Sequence, residues 1–183
     1  KQGFAWAFPM AGGVNIGVGS FIGKQDADPE QVLAQLLPDL GFAADAGMRQ
    51  RGQLRVWNGH HRLDGEGIVV VGDAASLCDP FLAEGLRPAL MSGCEAAAHL
   101  NQWLRGDQPD LRGYTQSMRE RWGESMAWGR SIAQIFYRFP GVGYQLGIKR
   151  PTAPRRIAQI LSGEMGYGDI AQRVIRRLLL QRN

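Results

Sequence analysis

The sequence predicts a mixed fold, α/β by the order of its elements and α+β by their segregation, with strands gathered early and helices filling the last half. Three observations predict it. Residues 3–22 carry two runs of alternating aromatic, apolar and small residues on either side of Gly12-Gly13, the pattern of a hairpin. Residues 67–72, GIVVVG, form a short all-apolar run, as expected of a strand buried on both faces of a parallel sheet. From Leu86 onward, apolar residues recur at helical spacing almost to the end of the chain.

The elements follow in order. GFAWAFPM (3–10) and VNIGVGSFI (14–22) are the predicted hairpin strands. Asp28-Pro29-Glu30 opens a helix: Asp28 is a good N-cap, Pro29 suits the first helical position, and Val32, Leu33, Leu36, Leu37 and Leu40 form its apolar stripe. Pro38 is expected to end it early. QLRVWNGHHR (53–62) is read as a further strand, broken near Asn58-Gly59, and 67–72 as the buried one. An Ala-rich helix runs from Leu86 to Leu104, and Gly106-Asp107-Gln108-Pro109 breaks the pattern. Residues 111–138 predict one long helix interrupted near Gly123 or Gly129, Pro140–Gly143 a turn, and 153–162 and 168–181 two shorter helices. The implied organisation is a strand-rich region over 1–65, a strand and helix over 66–106, and a helical region over 107–183.

Composition excludes several classes. No apolar run approaches the roughly 18 residues of a membrane span, and no signal pattern opens the chain. Cys78 and Cys94 stand sixteen apart without a C-x-x-C, against a disulfide framework or a zinc site. A reducing, cytoplasmic setting is therefore expected, with Cys94 a small buried residue on its helix. The adjacent His60 and His61 would point to opposite faces of a strand, so no metal site is expected. No G-x-S-x-G elbow supports hydrolase chemistry. Net charge is +4, yet residues 149–183 carry eight Lys/Arg against two Asp/Glu, so the basic character belongs to the tail. No nucleic-acid reader motif accompanies it, and no nucleic-acid partner is expected. In the last helix Ile170, Val174, Ile175, Leu178 and Leu179 share one face and Arg173, Arg176 and Arg177 another. That pattern suits either a terminal helix docked on the domain or peripheral contact with an anionic membrane.

The informative stretch is VVVGDAASLCDPFLAEGLRPALMSG, residues 69–93. Asp73 is expected at the C-terminal end of a strand, where ligands bind in open α/β sheets and where a carboxylate accepts hydrogen bonds from sugar or ribityl hydroxyls. Gly72, Ala74 and Ala75 leave room, Pro80 turns the chain, and Gly85 lets a ligand approach the free N–H groups at the start of a helix. The positive end of the helix dipole would steady charge on an electron-accepting ring. The alternative is a plain strand-to-helix turn whose aspartate caps backbone groups.

GDAA, DPF, EGLRPAL, SG and AA in this order resemble the second flavin-binding motif of FAD-dependent oxidoreductases of the para-hydroxybenzoate hydroxylase type. Within that superfamily the chain most resembles the geranylgeranyl reductase family. Phe4-Ala5-Trp6-Ala7-Phe8-Pro9 followed by Gly17-Val18-Gly19 is similar to that family's aromatic-x-Trp-x-Phe-Pro and Gly-x-Gly stretch, and LSGEMGYGDIAQRVIRRLL to its helical tail. The chain departs from the pattern at Ser76, where the family commonly has Gly, at Leu82-Ala83, where it has a small polar residue and Gly, and at Phe4, where Tyr is commoner.

The resemblance implies the C-terminal part of an FAD/NAD(P)-binding fold, with an antiparallel substrate sheet and a helical C-terminal region. Gly72, Asp73 and Ala74 would line the ribityl chain, and Pro80, Gly85 and Leu86 would lie beside the isoalloxazine ring. Trp6, Phe8 and Pro9 would help line a cavity for an isoprenoid or prenyl-lipid substrate. The implied reaction saturates isoprenoid double bonds, with FAD as cofactor and NADPH or another reductant as electron donor. No catalytic acid is assigned. The GxGxxG unit that would hold the ADP half is absent from these residues, so the chain is expected to be part of a longer flavoprotein and inactive alone. A monooxygenase or halogenase of the same superfamily, and a non-catalytic lipid-binding or interaction module, are the alternatives. Cys78 would fall in the flavin-facing loop, either as a thiol touching the ring or as a small filler.

Overall fold

The computed structural model describes residues 3–20 and 28–180. The chain divides into two compact units at Gly52/Gln53. Together they make a mixed α+β chain with two small antiparallel sheets.

The first unit holds β1 (Gly3–Met10), β2 (Gly13–Ser20) and α1 (Pro29–Asp39). β1 and β2 form an antiparallel hairpin in which Trp6 faces Gly17, Phe4 faces Gly19 and Phe8 faces Asn15. Gly12 turns the chain at φ +80°. Phe21 and Ile22 of the expected second strand lie outside the described residues. Asp28 caps α1 by accepting from the Glu30 N–H at 3.1 Å, and Pro29 opens it. The helix passes through Pro38 and closes at Asp39, since one missing donor in the last turn costs little.

The second unit begins with an irregular segment, where a strand over 53–62 is expected. Only Val56 pairs, in an isolated parallel bridge with Cys78, and Gly59 at φ +145° ends the extended run. The apolar run 67–72 is also not a doubly buried parallel strand. β3 (Asp64–Gly65) and β4 (Ile68–Val69) make a two-residue antiparallel pairing around Gly67, at φ +67°. Val69 and Val70 pack on the core while Ile68 is 62% exposed. Apolar composition suggests burial on two sides, whereas the hairpin buries one.

Gly72–Ala75 forms a single 3-10 turn, and α2 spans Leu86–Leu104. α3 (Arg112–Met118), a π turn (Arg119–Gly123) and α4 (Glu124–Arg138) form the predicted long helical run, widened near the expected glycine. The His60 ring packs where a Gly123 side chain would stand, so any larger residue in this widened turn would displace that ring. Pro140–Gly143 is a helical turn, α5, instead of an open one, because Gly143 lets it close on the Phe136 ring. A π turn (Tyr144–Ile148), α6 (Ala153–Ser162) and α7 (Tyr167–Leu180) follow. The core of this unit includes Trp57, Leu77, Tyr114, Trp122, Met126 and Tyr167. The side chains of Val174, Ile175, Arg177, Leu178 and Leu179, on which the amphipathic reading of the last helix rests, lie outside the described residues. Among the described residues no helix is long and apolar enough to cross a membrane.

Candidate functional site

Residues 69–86 are held from behind by four aromatic side chains. The Tyr114 hydroxyl donates to the Val70 carbonyl at 2.9 Å, and the Trp122 indole N–H to the Leu77 carbonyl at 3.0 Å. The Tyr137 hydroxyl donates to the Phe81 carbonyl at 3.4 Å, and the Tyr167 hydroxyl to Asp79 Oδ2 at 2.7 Å. Buried Tyr and Trp need a partner for their polar tips, and here the partners are the carbonyls and one carboxylate of an otherwise irregular segment.

Asp79 is the centre of this clamp. Its Oδ1 accepts from the Phe81 and Leu82 N–H groups at 2.7 and 2.8 Å, and its own N–H donates to the Glu84 carbonyl at 2.8 Å. Burial pushes the Asp79 carboxyl above the usual carboxylate range, against the opposing pull of the bonds from Leu82, Tyr167 and Phe81. Burial and the neighbouring Asp79 charge push the Tyr167 phenol upward, which keeps its proton available for donation. The 3-10 turn is fixed separately: the Gly72 N–H donates to Ser92 Oγ at 3.0 Å, and His61 Nε2 donates to the Ala75 carbonyl at 2.9 Å.

The opposite face is open. Asp73 and Ala74 are exposed, and the Asp73 carboxylate has no hydrogen-bond or ion-pair partner among the described residues. Asp73 Oδ1 lies 3.0 Å from the position a Gly85 side chain would take, so this acid and the start of α2 are side by side. Leu86 is 73% exposed. Glu84 caps α2 by accepting from the Arg87 N–H at 2.8 Å, and Pro88 has no N–H. The Gly85 and Leu86 N–H groups are left as free donors beside Asp73. An open cleft of ≈ 400 Å³ continues from this point along α2, lined by Leu86, Leu90, Met91, Cys94 and Leu161 among others.

Of the sequence-predicted residues, Asp73, Ala74, Gly85 and Leu86 thus come together on one accessible face. Gly72 and Pro80 are buried. Gly72 sits at φ +57° with room for nothing larger, since a side chain there would meet Ala89 at 3.2 Å, and Pro80 shapes the loop from within. Cys78 is wholly buried and burial pushes its thiol up to about 12, so it fills space and is not a reactive surface group. Cys94, expected to be buried, is exposed on α2 and lines the cleft.

Ser76 and Ala83 have φ of +54° and +55°. These left-handed positions are the two places where the sequence lacks the glycine expected from the resemblance. Trp6, Phe8 and Pro9 lie on β1 in the first unit. Trp6 packs its indole against Gly17 and donates from Nε1 to Asn15 Oδ1 at 2.8 Å, while Phe8 and Pro9 are exposed. Phe4, Trp6 and Phe8 form one aromatic row, with ring centroids 5.6 and 6.5 Å apart. Gly17 and Gly19 opposite them are the spaces this row covers. Sequence reasoning assigned no role to Asp79, Ser92 or Tyr167; each was visible only as part of a pattern, in DPF, SG and the tail stretch LSGEMGYGDIAQRVIRRLL. Among the described residues no cluster of three or more His, Cys, Asp or Glu is placed to hold a metal ion.

Comparison with protein-family models, curated proteins and solved structures finds no match to this chain.

Proposed function

We propose that the chain is the flavin-facing part of an FAD-dependent reductase that saturates double bonds of isoprenoid chains. One observation carries this reading: an unpartnered, exposed carboxylate, Asp73, stands against a glycine at a helix start whose first N–H groups are free. That set offers acceptors to ribityl hydroxyls and donors to the polar edge of a flavin ring. Asp73 would hold the ribityl chain, and Gly85 and Leu86 would face the ring. Bound there, the flavin supplies two-electron transfer. The chain's own contribution is positional. The aromatic clamp fixes the loop, the α2 N-terminus steadies negative charge, and the exposed Leu86 with the apolar cleft beyond it keeps an apolar surface beside the polar groups. The left-handed φ at Ser76 and Ala83 further supports the resemblance, since glycine is the residue such positions favour.

Riboflavin tests this reading, because it carries the ring and ribityl chain and lacks the ADP half. Titrated into the protein, it is expected to bind with quenched fluorescence, and FAD is expected to bind no more tightly. Asp73→Ala and Gly85→Val should each weaken binding by on the order of tenfold or more, as a lost charge-assisted hydrogen bond would. Equal binding by the native protein and both variants, or no flavin binding at all, would sink the proposal.

A further inference from the structure

The stretch from Ser125 to Gly163 contains no Asp or Glu and six cations, Arg130, Arg138, Lys149, Arg150, Arg155 and Arg156. Among the described residues none of the six joins an ion pair, and all but Arg156 are exposed. The same stretch carries large apolar side chains in water. Trp128 and Ile135, seven apart, share the outer face of α4. Phe139 follows between α4 and α5, Val142 within α5, then Tyr144; Ile135 is 68% and Phe139 56% exposed.

These residues are not loose core. Phe136 and Tyr137, between them in sequence, already supply the inner aromatic row. The Phe136 ring meets Phe81 edge-on at 5.3 Å and packs under Gly143, and Tyr137 holds the Phe81 carbonyl. The segment therefore has an inner aromatic layer facing the protein and an outer one facing solvent.

We infer that this outer layer, Trp128 to Arg150, is a docking surface for an anionic lipid bilayer. Arg130 donates to the Asn58 carbonyl and Arg138 lies over the Phe139 ring, yet none of these cations meets an acid among the described residues. Apolar and aromatic side chains interleaved with such cations suit the boundary between acyl chains and negatively charged headgroups. The charge argues against a second copy of the chain, because a symmetric pairing would set the same cations against each other. The surface is independent of the flavin reading and rests on residues other than those of the terminal arginine-rich helix, against which α4 packs through Trp128 beside Gly168.

The test is co-sedimentation of the full chain with phosphatidylcholine vesicles that contain or lack phosphatidylglycerol. Binding is expected only where phosphatidylglycerol is present, and should weaken as salt is raised. Neutralising Lys149 and Arg150 (Lys149→Gln, Arg150→Gln) should lower partitioning about fivefold per charge, and Phe139→Ser by on the order of tenfold. Arg105→Gln, an exposed cation outside the stretch, should change nothing. Because Phe139 is exposed, its variant should keep the native melting temperature, which separates lost docking from lost folding. Equal binding to both vesicle types, or an equal loss from Arg105→Gln, would overturn the inference. So would a dimer, seen by light scattering, that Phe139→Ser dissolves.

Discussion

Replacing Tyr167 by Phe deletes one hydroxyl and leaves the ring where it packs, against Gly129 and edge-on to Phe81. What is lost is the 2.7 Å bond to Asp79 Oδ2, between two fully buried groups. A hydrogen bond to a charged group contributes about 1.5–3 kcal/mol. A loss near 2 kcal/mol should lower the melting temperature of the second unit by about 7 °C. The loss should depend on pH. Burial holds the folded-state Asp79 carboxyl above its ordinary value of 3.8, so the folded form keeps its proton longer than the unfolded chain does. That contribution to stability is fully present below the unfolded value and disappears as pH rises through the folded one. Removing the Tyr167 donor raises the folded value further. The penalty of Tyr167→Phe should therefore be small in acid, where Asp79 is protonated, and grow as pH rises past the point where Asp79 ionises. Urea unfolding of both proteins across that range measures it, and amide exchange at Phe81 and Leu82 reports whether the loop itself loosens. A penalty that is flat with pH, or below about 0.5 kcal/mol at neutral pH, would refute the account of Asp79 as an ionising clamp. Asp79→Asn should flatten the pH dependence of the parent protein.

Two further outcomes follow from backbone and burial. Ser76→Gly and Ala83→Gly should each stabilise the protein by up to about 1 kcal/mol in urea unfolding, since relief of the left-handed conformation exceeds the entropy lost by a flexible residue; destabilisation of that size would contradict the φ values. A thiol reagent at neutral pH should label Cys94 rapidly and leave Cys78 untouched until denaturant is added, because Cys78 is buried and its thiol is pushed up to about 12; rapid labelling of both would place Cys78 at the surface.

The legible parts of the sequence were those in which a local rule decides the structure. Asp28-Pro29 placed the start of α1, the 3.6-residue stripe placed α2, and the aromatic-small alternation around Gly12 placed the hairpin. The 67–72 run misled because three valines in a row indicate burial without saying on how many sides. Pairing depends on whether a partner strand exists, which a run of six residues does not contain. The open face of the candidate site, Asp73 with Gly85, was visible because small residues around a lone carboxylate are unusual at a strand-to-helix junction. Its supporting shell was not. Tyr114, Trp122, Tyr137 and Tyr167 lie 44, 45, 56 and 88 residues from the groups they bond. In sequence each reads as one more apolar residue on a helix.

That shell changes what the helical region is for. A loop of six residues carrying Ala83 in a left-handed conformation cannot hold one shape by its own backbone bonds, Asp79 N–H to Glu84 and Ala83 N–H to Asp79. Asp79 supplies the missing restraint only while its second oxygen has a donor, and that donor is the first residue of α7. The Tyr167 N–H is in turn held by Ser125 Oγ of α4 at 3.1 Å. The start of α2, with its free N–H groups and adjacent Asp73, is therefore set by a chain of contacts that runs through α4 and α7. Changes at the beginning of α7 should be felt in the loop before they are felt in the hydrophobic core, because Tyr167→Phe removes a polar link and leaves the packing in place.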